Sequence, residues 1–560
     1  MTSTLTAPPA GRRSRKAVPS ALRSGALMAA GSLVSRATGF VRASVVAAAL
    51  GAGLVADGYA VGNSVPTIVY TLLIGGALNA VFVPELVRAA REHEDGGAAY
   101  TDRLLTVCAL ALLALTAGAV LAAPALVDAY TDYTGAQRDM TLAFTRTCLP
   151  QIFFLGLFTL LGQVLNARGR FGAMMWTPVL NNVVVVGVFC LFLAVADGGA
   201  LTAGETALLG WGTTAGIALQ ALALLPSLRA AGFRWRPRFD WRGSGLTAPL
   251  RSAGWLVLLV LTNQAAYWLT TLLATSAGAT TGGGSGLAAY NNAYLLWTVP
   301  HGIVTVSLVT ALMPRMSGAA ADGDLAAVRR DIGYAQRTSA AGIVPAACAL
   351  FALALPLMTV VFRYGETGGD DVRAMAWTLT AFAPGLVALS GQYVCSRAFY
   401  ALRDTRTPFL LNLLVAGLNA LLALCAAHWL PPHWTVTGMA AGYSLALWAG
   451  WGLTAYVLGR RLRDAGARAV PSGTGGGRAP GPRDAPDGGS AGALGRLLVA
   501  AVPAAGLGLY TAGAAAPAGA LVSGAAGALT IVAVFALLAR PLRLTELNAL
   551  LNRATGRLRR

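Results

Sequence analysis

The chain has 560 residues, 56% of them hydrophobic and only 12% charged, against about 25% charged residues in a soluble globular protein. With a mean hydropathy of +0.62, this excludes a disordered chain, a disulfide-stapled secreted domain and an ordinary cytosolic enzyme. A net charge of +19 would point to nucleic acid in a soluble protein, but here the arginines cluster between apolar stretches, where they set membrane topology, and no nucleic-acid partner is expected.

Taken in chain order, the basic start (Arg12, Arg13, Arg15, Lys16 and Arg23) leads into an apolar run that resembles a signal peptide. That run is long, contains Arg36 and Arg42 and has no obvious cleavage site, so it is expected to stay as the first span. Apolar windows of helical length predict spans near 26–50, 60–84, 104–127, 146–166, 173–196, 206–228, 247–276, 284–314, 340–362, 374–396, 408–428, 436–459, 495–515 and 518–539. The expected fold class is all-α, a polytopic membrane protein of about fourteen transmembrane helices. Pro66, Gly75 and Gly76 in the second span, and Pro300 and Gly302 in the eighth, predict bends of the kind found where helices surround a cavity.

Alternating the loops from an inner N-terminus puts thirty-six of the 42 basic residues inside and four outside, namely Arg138, Arg146, Arg363 and Arg373. Arg36 and Arg42 lie within the first span, and the bias predicts both termini in the cytoplasm. The segment 461–494 holds the Pro/Gly-rich run PSGTGGGRAPGPRDAPDGGSAG and is expected to be a flexible inner linker. It separates twelve spans from two. Beyond them, Leu544, Leu547 and Leu551 recur at helical spacing beside Arg543, Arg553 and Arg557, which predicts a basic amphipathic tail over 540–560, either lying on the inner leaflet or simply solvated.

Thr177-Pro178-Val179-Leu180-Asn181-Asn182 and Thr407-Pro408-Phe409-Leu410-Leu411-Asn412 share the pattern T-P-x-L-x-N at an offset of 230 residues, or six spans. An even number of spans preserves orientation, so the two occurrences suggest parallel repeats, with a substrate path between them. Ordinary helix-start chemistry also produces a Thr-Pro pair.

The polar residues within spans carry the chemical argument. Each of Arg36 and Arg42 costs roughly 2.5–3.5 kcal/mol near the bilayer centre. Either they snorkel or pair with Asp57, or they face a hydrated cavity, where a guanidinium fork suits a phosphate group. The helical twist keeps them off one narrow face. Ser35, Asn63, Asn79, Asn263, Gln264, Asn291 and Asn292 are candidates for neutral hydrogen bonds to hydroxyls or amides of a sugar or peptide, although such residues more often tie helices together. No Asp or Glu falls in mid-span, Asp57 and Glu85 lying near span ends, which disfavours an ion-driven antiporter. The six cysteines and four histidines make no metal-ligand or catalytic spacing, and Asp370-Asp371 is expected to be a solvated outer loop. No cofactor, no metal and no enzyme activity are expected.

At Ser35-Arg36-Ala37-Thr38-Gly39-Phe40-Val41-Arg42, then Gly51-Ala52-Gly53, Ala56-Asp57-Gly58-Tyr59 and Gly76-Ala77-Leu78-Asn79-Ala80-Val81-Phe82-Val83-Pro84, the chain resembles the MurJ/MviN family of lipid II flippases. The stretch Arg397-Ala398-Phe399-Tyr400-Ala401-Leu402-Arg403-Asp404-Thr405-Arg406-Thr407-Pro408 is similar to that family's F-Y-x-x-x-D-x-x-T-P segment, so the likeness spans roughly 25–460. It implies the fold of the MATE-like exporter superfamily. On that expectation 1–25 is a basic tail, 26–230 and 247–460 are six-helix lobes around a central cationic cavity, and 495–539 adds two helices that form a groove for a lipid tail. It also implies a substrate-binding set of Arg36, Arg42, Ser35, Asn63, Asn79, Asn291 and Asn292, with the two arginines on the pyrophosphate of a lipid-linked oligosaccharide. The implied setting is the plasma membrane of a bacterium, with membrane lipids and cell-wall synthesis proteins as candidate partners. Three departures stand out: Ala43 replaces an Asp usual after the second arginine, and Tyr70 and about Leu295 stand where family members often carry basic residues. A divergent paralogue exporting another amphiphilic or polyprenyl-linked product, a small-molecule antiporter and a non-transporting envelope scaffold are the alternatives.

Overall fold

In a lipid interior, backbone amides must be satisfied within one segment or within a closed barrel, and among the described residues every regular element is helical. The computed structural model describes residues 17–71, 86, 95, 97–168, 170, 172–196, 200–240, 254–281, 284–468 and 490–548. A first helix group contains α1 (Ala17–Leu50), α2 (Leu54–Tyr70), α3 (Ala98–Leu121), α4 (Ala123–Tyr130), α5 (Gly135–Cys148), α6 (Gln151–Ala167), α7 (Gly172–Val195), α8 (Ala203–Leu222) and the short α9 (Leu225–Ala230). A second group opens with α10 (Gly254–Thr281) and α11 (Leu287–His301), followed by a π-helical turn at Gly302–Val306 and α12 (Ser307–Ala321). It continues with α13 (Leu325–Ala352), α14 (Ala354–Phe362), α15 (Gly369–Phe382), α16 (Gly385–Ala401), α17 (Arg406–Trp429) and α18 (Pro432–Arg468). The chain ends in α19 (Ser490–Ala514) and α20 (Ala520–Ala539), which pack on each other and on α13 and α14.

Among the described residues nine helices are long and apolar enough to cross a membrane, and counting the bent pairs α13–α14 (77°) and α15–α16 (46°) as single spans gives eleven. The other three expected spans coincide with α2, α10 and α18, which fall outside that measure. Gly75, Gly76, Asn79 and the Gly76–Pro84 motif lie outside the described residues, as does most of the expected linker. Arg146, assigned from sequence to the outer edge of a span, sits within the continuous Gly135–Ala167 segment.

The breaks are chemically repaired. The turn between α15 and α16 frees carbonyls at Ala381 and Phe382, and the Ser444 hydroxyl of α18 donates to both, at 2.8 and 3.3 Å. Trp448 donates its indole N–H to the Pro384 carbonyl at 3.0 Å. Neighbouring helices thus supply the partners that a broken helix in lipid needs. Above this point Trp297, fully buried, stacks on Phe382 at 5.0 Å and meets Tyr443 edge-on. The α17–α18 pair approaches closely because Gly438, Gly442 and Gly450 present no side chain to Leu430, Leu422 and Val415.

Two details depart from the sequence reading. Thr407-Pro408 does open α17, where Asp404 accepts from the Thr407 amide (3.0 Å) and hydroxyl (2.6 Å), but Pro178 lies inside α7, which begins at Gly172. The T-P match therefore marks different helical positions in the two halves. In the tail, Leu544 and Leu547 are buried in the main core, and Glu546 pairs with Arg337 of α13 at 2.7 Å, so the first part of this segment docks on protein. Leu551 lies outside the described residues.

Candidate functional site at the junction of the helix groups

The two groups are pinned together at one end. Gly51, at φ +69°, closes α1 by donating to the Ala47 carbonyl at 2.8 Å. Around this corner the Thr367 hydroxyl donates to Ala47 O (2.8 Å), the Glu366 amide to Ala48 O (2.9 Å) and the Gly284 amide to Ala52 O (2.9 Å). Trp268 of α10 reaches the Ala129 carbonyl at the end of α4 at 2.7 Å.

Asp57 is the centre of the joint. It is fully buried, and its Oδ1 accepts from the Ala288 amide in the first turn of α11 at 2.6 Å. An anion at a helix N-terminus meets unsatisfied amides and the positive end of the helix dipole. Gly278 and Gly286 make room for it, since a side chain at Gly286 would overlap the carboxylate. The Asp57–arginine pairing considered from sequence is therefore not formed; this acid holds the second helix group instead. Its Oδ2 has no hydrogen-bond partner among the described residues.

Deeper along α1, Arg36 is exposed and its guanidinium lies against Gly302, where an added Cβ would come within 2.5 Å of Nη1. Among the described residues it has no ion-pair partner. The contact falls at the π-helical turn that follows Pro300 in the eighth span, which runs on through it as one segment, Leu287–Ala321. Beside it, His301 Nδ1 lies 3.0 Å from the Ser390 hydroxyl, and its ring packs edge-on against Tyr393 at 5.2 Å. Arg397 continues this face, its guanidinium 4.8 Å from the Tyr393 ring and 5.8 Å from that of Tyr400. Neither His301 nor Arg397 stood out in the sequence as a candidate for this site; for His301 the available signal was its place between Pro300 and Gly302.

The other predicted residues disperse. Arg42 turns into the first group beside the Tyr59 hydroxyl and Cys148, where Tyr59 also bonds Thr213 at 2.9 Å. Ser35 offers its carbonyl to Asn182 at 3.1 Å, and Asn63 accepts from Gln151 at 3.4 Å, a tie between α2 and α6. Asn291 lines a cavity of about 460 Å³ within the second group, together with Asn263, Gln392, Asn412 and Asn419, where Asn412 donates to Asn263 at 2.9 Å. Asn292 is half-buried and Asn79 lies outside the described residues. A further, almost wholly apolar groove of about 500 Å³ runs between α13, α18 and α19, lined by Cys348, Phe351, Trp448, Leu498, Val502 and Leu509.

Two helix groups joined at one end, with Arg36 between them and an apolar groove alongside, make the architecture of a polytopic membrane transporter. The comparisons narrow the class. The sequence profile described as Lipid II flippase MurJ matches residues 46–472, and the chain belongs to that family. It is 28% identical over 384 residues to the lipid II flippase MurJ of Burkholderia cenocepacia, covering 67% of this chain and 72% of that protein. With a probable lipid II flippase MurJ of Vibrio cholerae it shares 27% over 399 residues, covering 69% and 74%. Its fold is similar to a solved MurJ in an inward closed conformation (TM-score 0.69, 15% identity, 92% of this chain and 99% of that one). It is also similar to an inward-facing MATE family multidrug transporter (TM-score 0.62, 14% identity, 77% and 96%). The chain is thus a multi-pass protein of the bacterial inner membrane.

Proposed function

We propose that this chain carries a lipid-linked peptidoglycan precursor of the lipid II type from the inner to the outer leaflet by alternating access, making and breaking no covalent bond. The observation that carries the reading is Arg36, a charged group at membrane depth without a counter-ion among the described residues, seated where the two helix groups meet. A guanidinium so placed is costly unless it serves a hydrated anion, and its fork matches a diphosphate. In this reading 26–230 and 247–460 rock as lobes, the Asn-lined cavity receives sugar or peptide groups, and the apolar groove beside α19 receives the lipid tail. Segment 461–494 tethers the last two helices, 495–539, to the lobes. The arginine asymmetry supports both termini inside, which makes the pinned end the outer gate. Cell-wall synthesis proteins are the partners this activity calls for. With the cytoplasm negative, moving net negative charge outward is favoured by about 2.3 kcal/mol per charge per 100 mV.

A second reading, export of a different polyprenyl-linked product, is favoured by the uncharged Ala43, Tyr70 and Leu295. Tyr70 bonds the Thr159 hydroxyl and so serves the first helix group. The test for both is depletion of the protein in its host with measurement of lipid II in each leaflet. Accumulation in the inner leaflet supports the first reading; an unchanged distribution, with another polyprenyl-linked product retained inside, supports the second.

A further inference from the structure

A second cationic site lies away from the junction, at the end of the first helix group. Helix α9 closes through Gly232, at φ +75°, with the Gly232 amide donating to Arg229 O and the Phe233 amide to Leu228 O, each at 3.0 Å. This turn folds Phe233 back over Leu228. Arg168 completes the end by donating to Ala231 O at 3.1 Å while lying 4.9 Å over the Phe233 ring. The carbonyls of Leu228, Arg229 and Ala231 are therefore occupied without the side chains of Arg229 and Arg234.

The following segment is strapped to α3. Asp102 Oδ1 accepts from the Arg236 amide (3.0 Å), and Thr106 Oγ1 accepts from the Arg238 amide (3.1 Å) and the Trp235 indole (3.3 Å). Arg103 engages Asp240 at 2.6 Å, and Arg238 approaches Asp102 at 3.8 Å. Among the described residues Asp102 and Asp240 are thus committed as well. Arg229 and Arg234 are left exposed, with no ion pair among the described residues, on the wall of a cavity of about 490 Å³. Its floor is Leu161, Leu225, Leu228 and Phe233, and Trp235 stands at its side.

From this arrangement we infer that the cavity is a binding site for the head group of an anionic phospholipid, separate from the transport path. Two guanidinia supply charge-assisted hydrogen bonds to a phosphodiester. The leucine floor accepts the apolar root of the same molecule, and an anchored tryptophan is a common residue at membrane interfaces. Topology alone needs arginines on a surface; it does not need them around a preformed cavity with an apolar floor.

The test uses the full chain in an uncharged detergent, titrated with dioctanoyl phosphatidylglycerol, dioctanoyl phosphatidylcholine and inorganic phosphate, with bound copies counted by native mass spectrometry. Phosphatidylglycerol is expected to bind, and Arg229→Ala/Arg234→Ala to weaken it tenfold or more. Arg460→Ala/Arg463→Ala, which removes two exposed arginines at the end of α18, is expected to leave it unchanged. If the alanine pair folds poorly, Arg229→Gln/Arg234→Gln is expected to lose binding and Arg229→Lys/Arg234→Lys to keep most of it. Equal weakening by the α18 pair would reduce the effect to general surface charge and overturn the site. Equal binding of phosphatidylcholine, or full competition by inorganic phosphate, would overturn the assignment to an anionic lipid.

Discussion

Gly286→Ala probes the joint with a single methyl group. The backbone at Gly286, φ −105° and ψ −158°, suits alanine, so the substitution brings no strain of its own. The added Cβ instead overlaps the Asp57 carboxylate, which is enclosed by Gly278 and Gly286 and holds the Ala288 amide at 2.6 Å. Relief requires Asp57 to leave that position. Losing this bond strands the buried Ala288 amide, a cost of about 1–3 kcal/mol, and because the bond spans the two helix groups, its loss acts on the closed joint before it acts on the fold of either group. About 2 kcal/mol corresponds to roughly a thirtyfold shift in the open-to-closed ratio. The measurement is labelling of Ala52→Cys, a position buried in the joint, by a membrane-impermeant maleimide in intact cells, with the chain lacking that cysteine as the blank. Gly286→Ala is expected to raise the labelling rate by about that factor at unchanged abundance. Asp57→Ala/Gly286→Ala is expected to label no faster than Asp57→Ala alone, because the methyl then fills vacated space. Wild-type labelling in Gly286→Ala, or full additivity in the double variant, would refute the role given to Asp57.

Three further expectations follow from the same geometry. Transport in reconstituted vesicles should fall in the order Arg, Lys, Ala at position 36 with abundance unchanged, a guanidinium-to-ammonium change costing roughly 1–3 kcal/mol where a charged hydrogen bond is lost; Arg42→Ala, which strips a group packed on Tyr59, should lower abundance as well, and equal transport by all three residues at position 36 would remove the arginine from the substrate path. Asp102→Ala removes the part-buried bond from the Arg236 amide and should lower the midpoint of thermal unfolding modestly, consistent with about 0.5–1.5 kcal/mol for one hydrogen bond whose donor can turn to water. Cysteines placed in 364–372 should react with impermeant reagent from outside and those in 464–491 should not, and the opposite pattern would reverse the proposed direction of transport.

The helices were legible because lipid imposes one simple rule on the chain, apolar windows long enough to span, and the arginines between them mark the ends. Six residues separate Arg36 from Arg42, a twist that keeps them off one narrow face while leaving open that long side chains reach one cavity, and in the structure the first meets Gly302 while the second meets Tyr59. What sequence could not supply was the rotation of each helix about its own axis. Asn63 and Asn291 carry the same side chain in the same kind of window, yet one ties α2 to Gln151 and the other lines a cavity. In the eighth span the projection fails for a definite reason. A π-helical turn inserts an extra residue into the helical register, and one residue is about 100° of rotation, so a face traced from Leu287 no longer predicts the one beyond Gly302. Arg36 sits at that discontinuity and His301 immediately precedes it. The residues hardest to place by periodicity are thus those at which the helix departs from it, and Gly302, the first residue of that turn, leaves the space into which Arg36 fits. The π-helical turn beside Pro300 therefore says more about where the two helix groups meet than the polar residues of the regular helices around it.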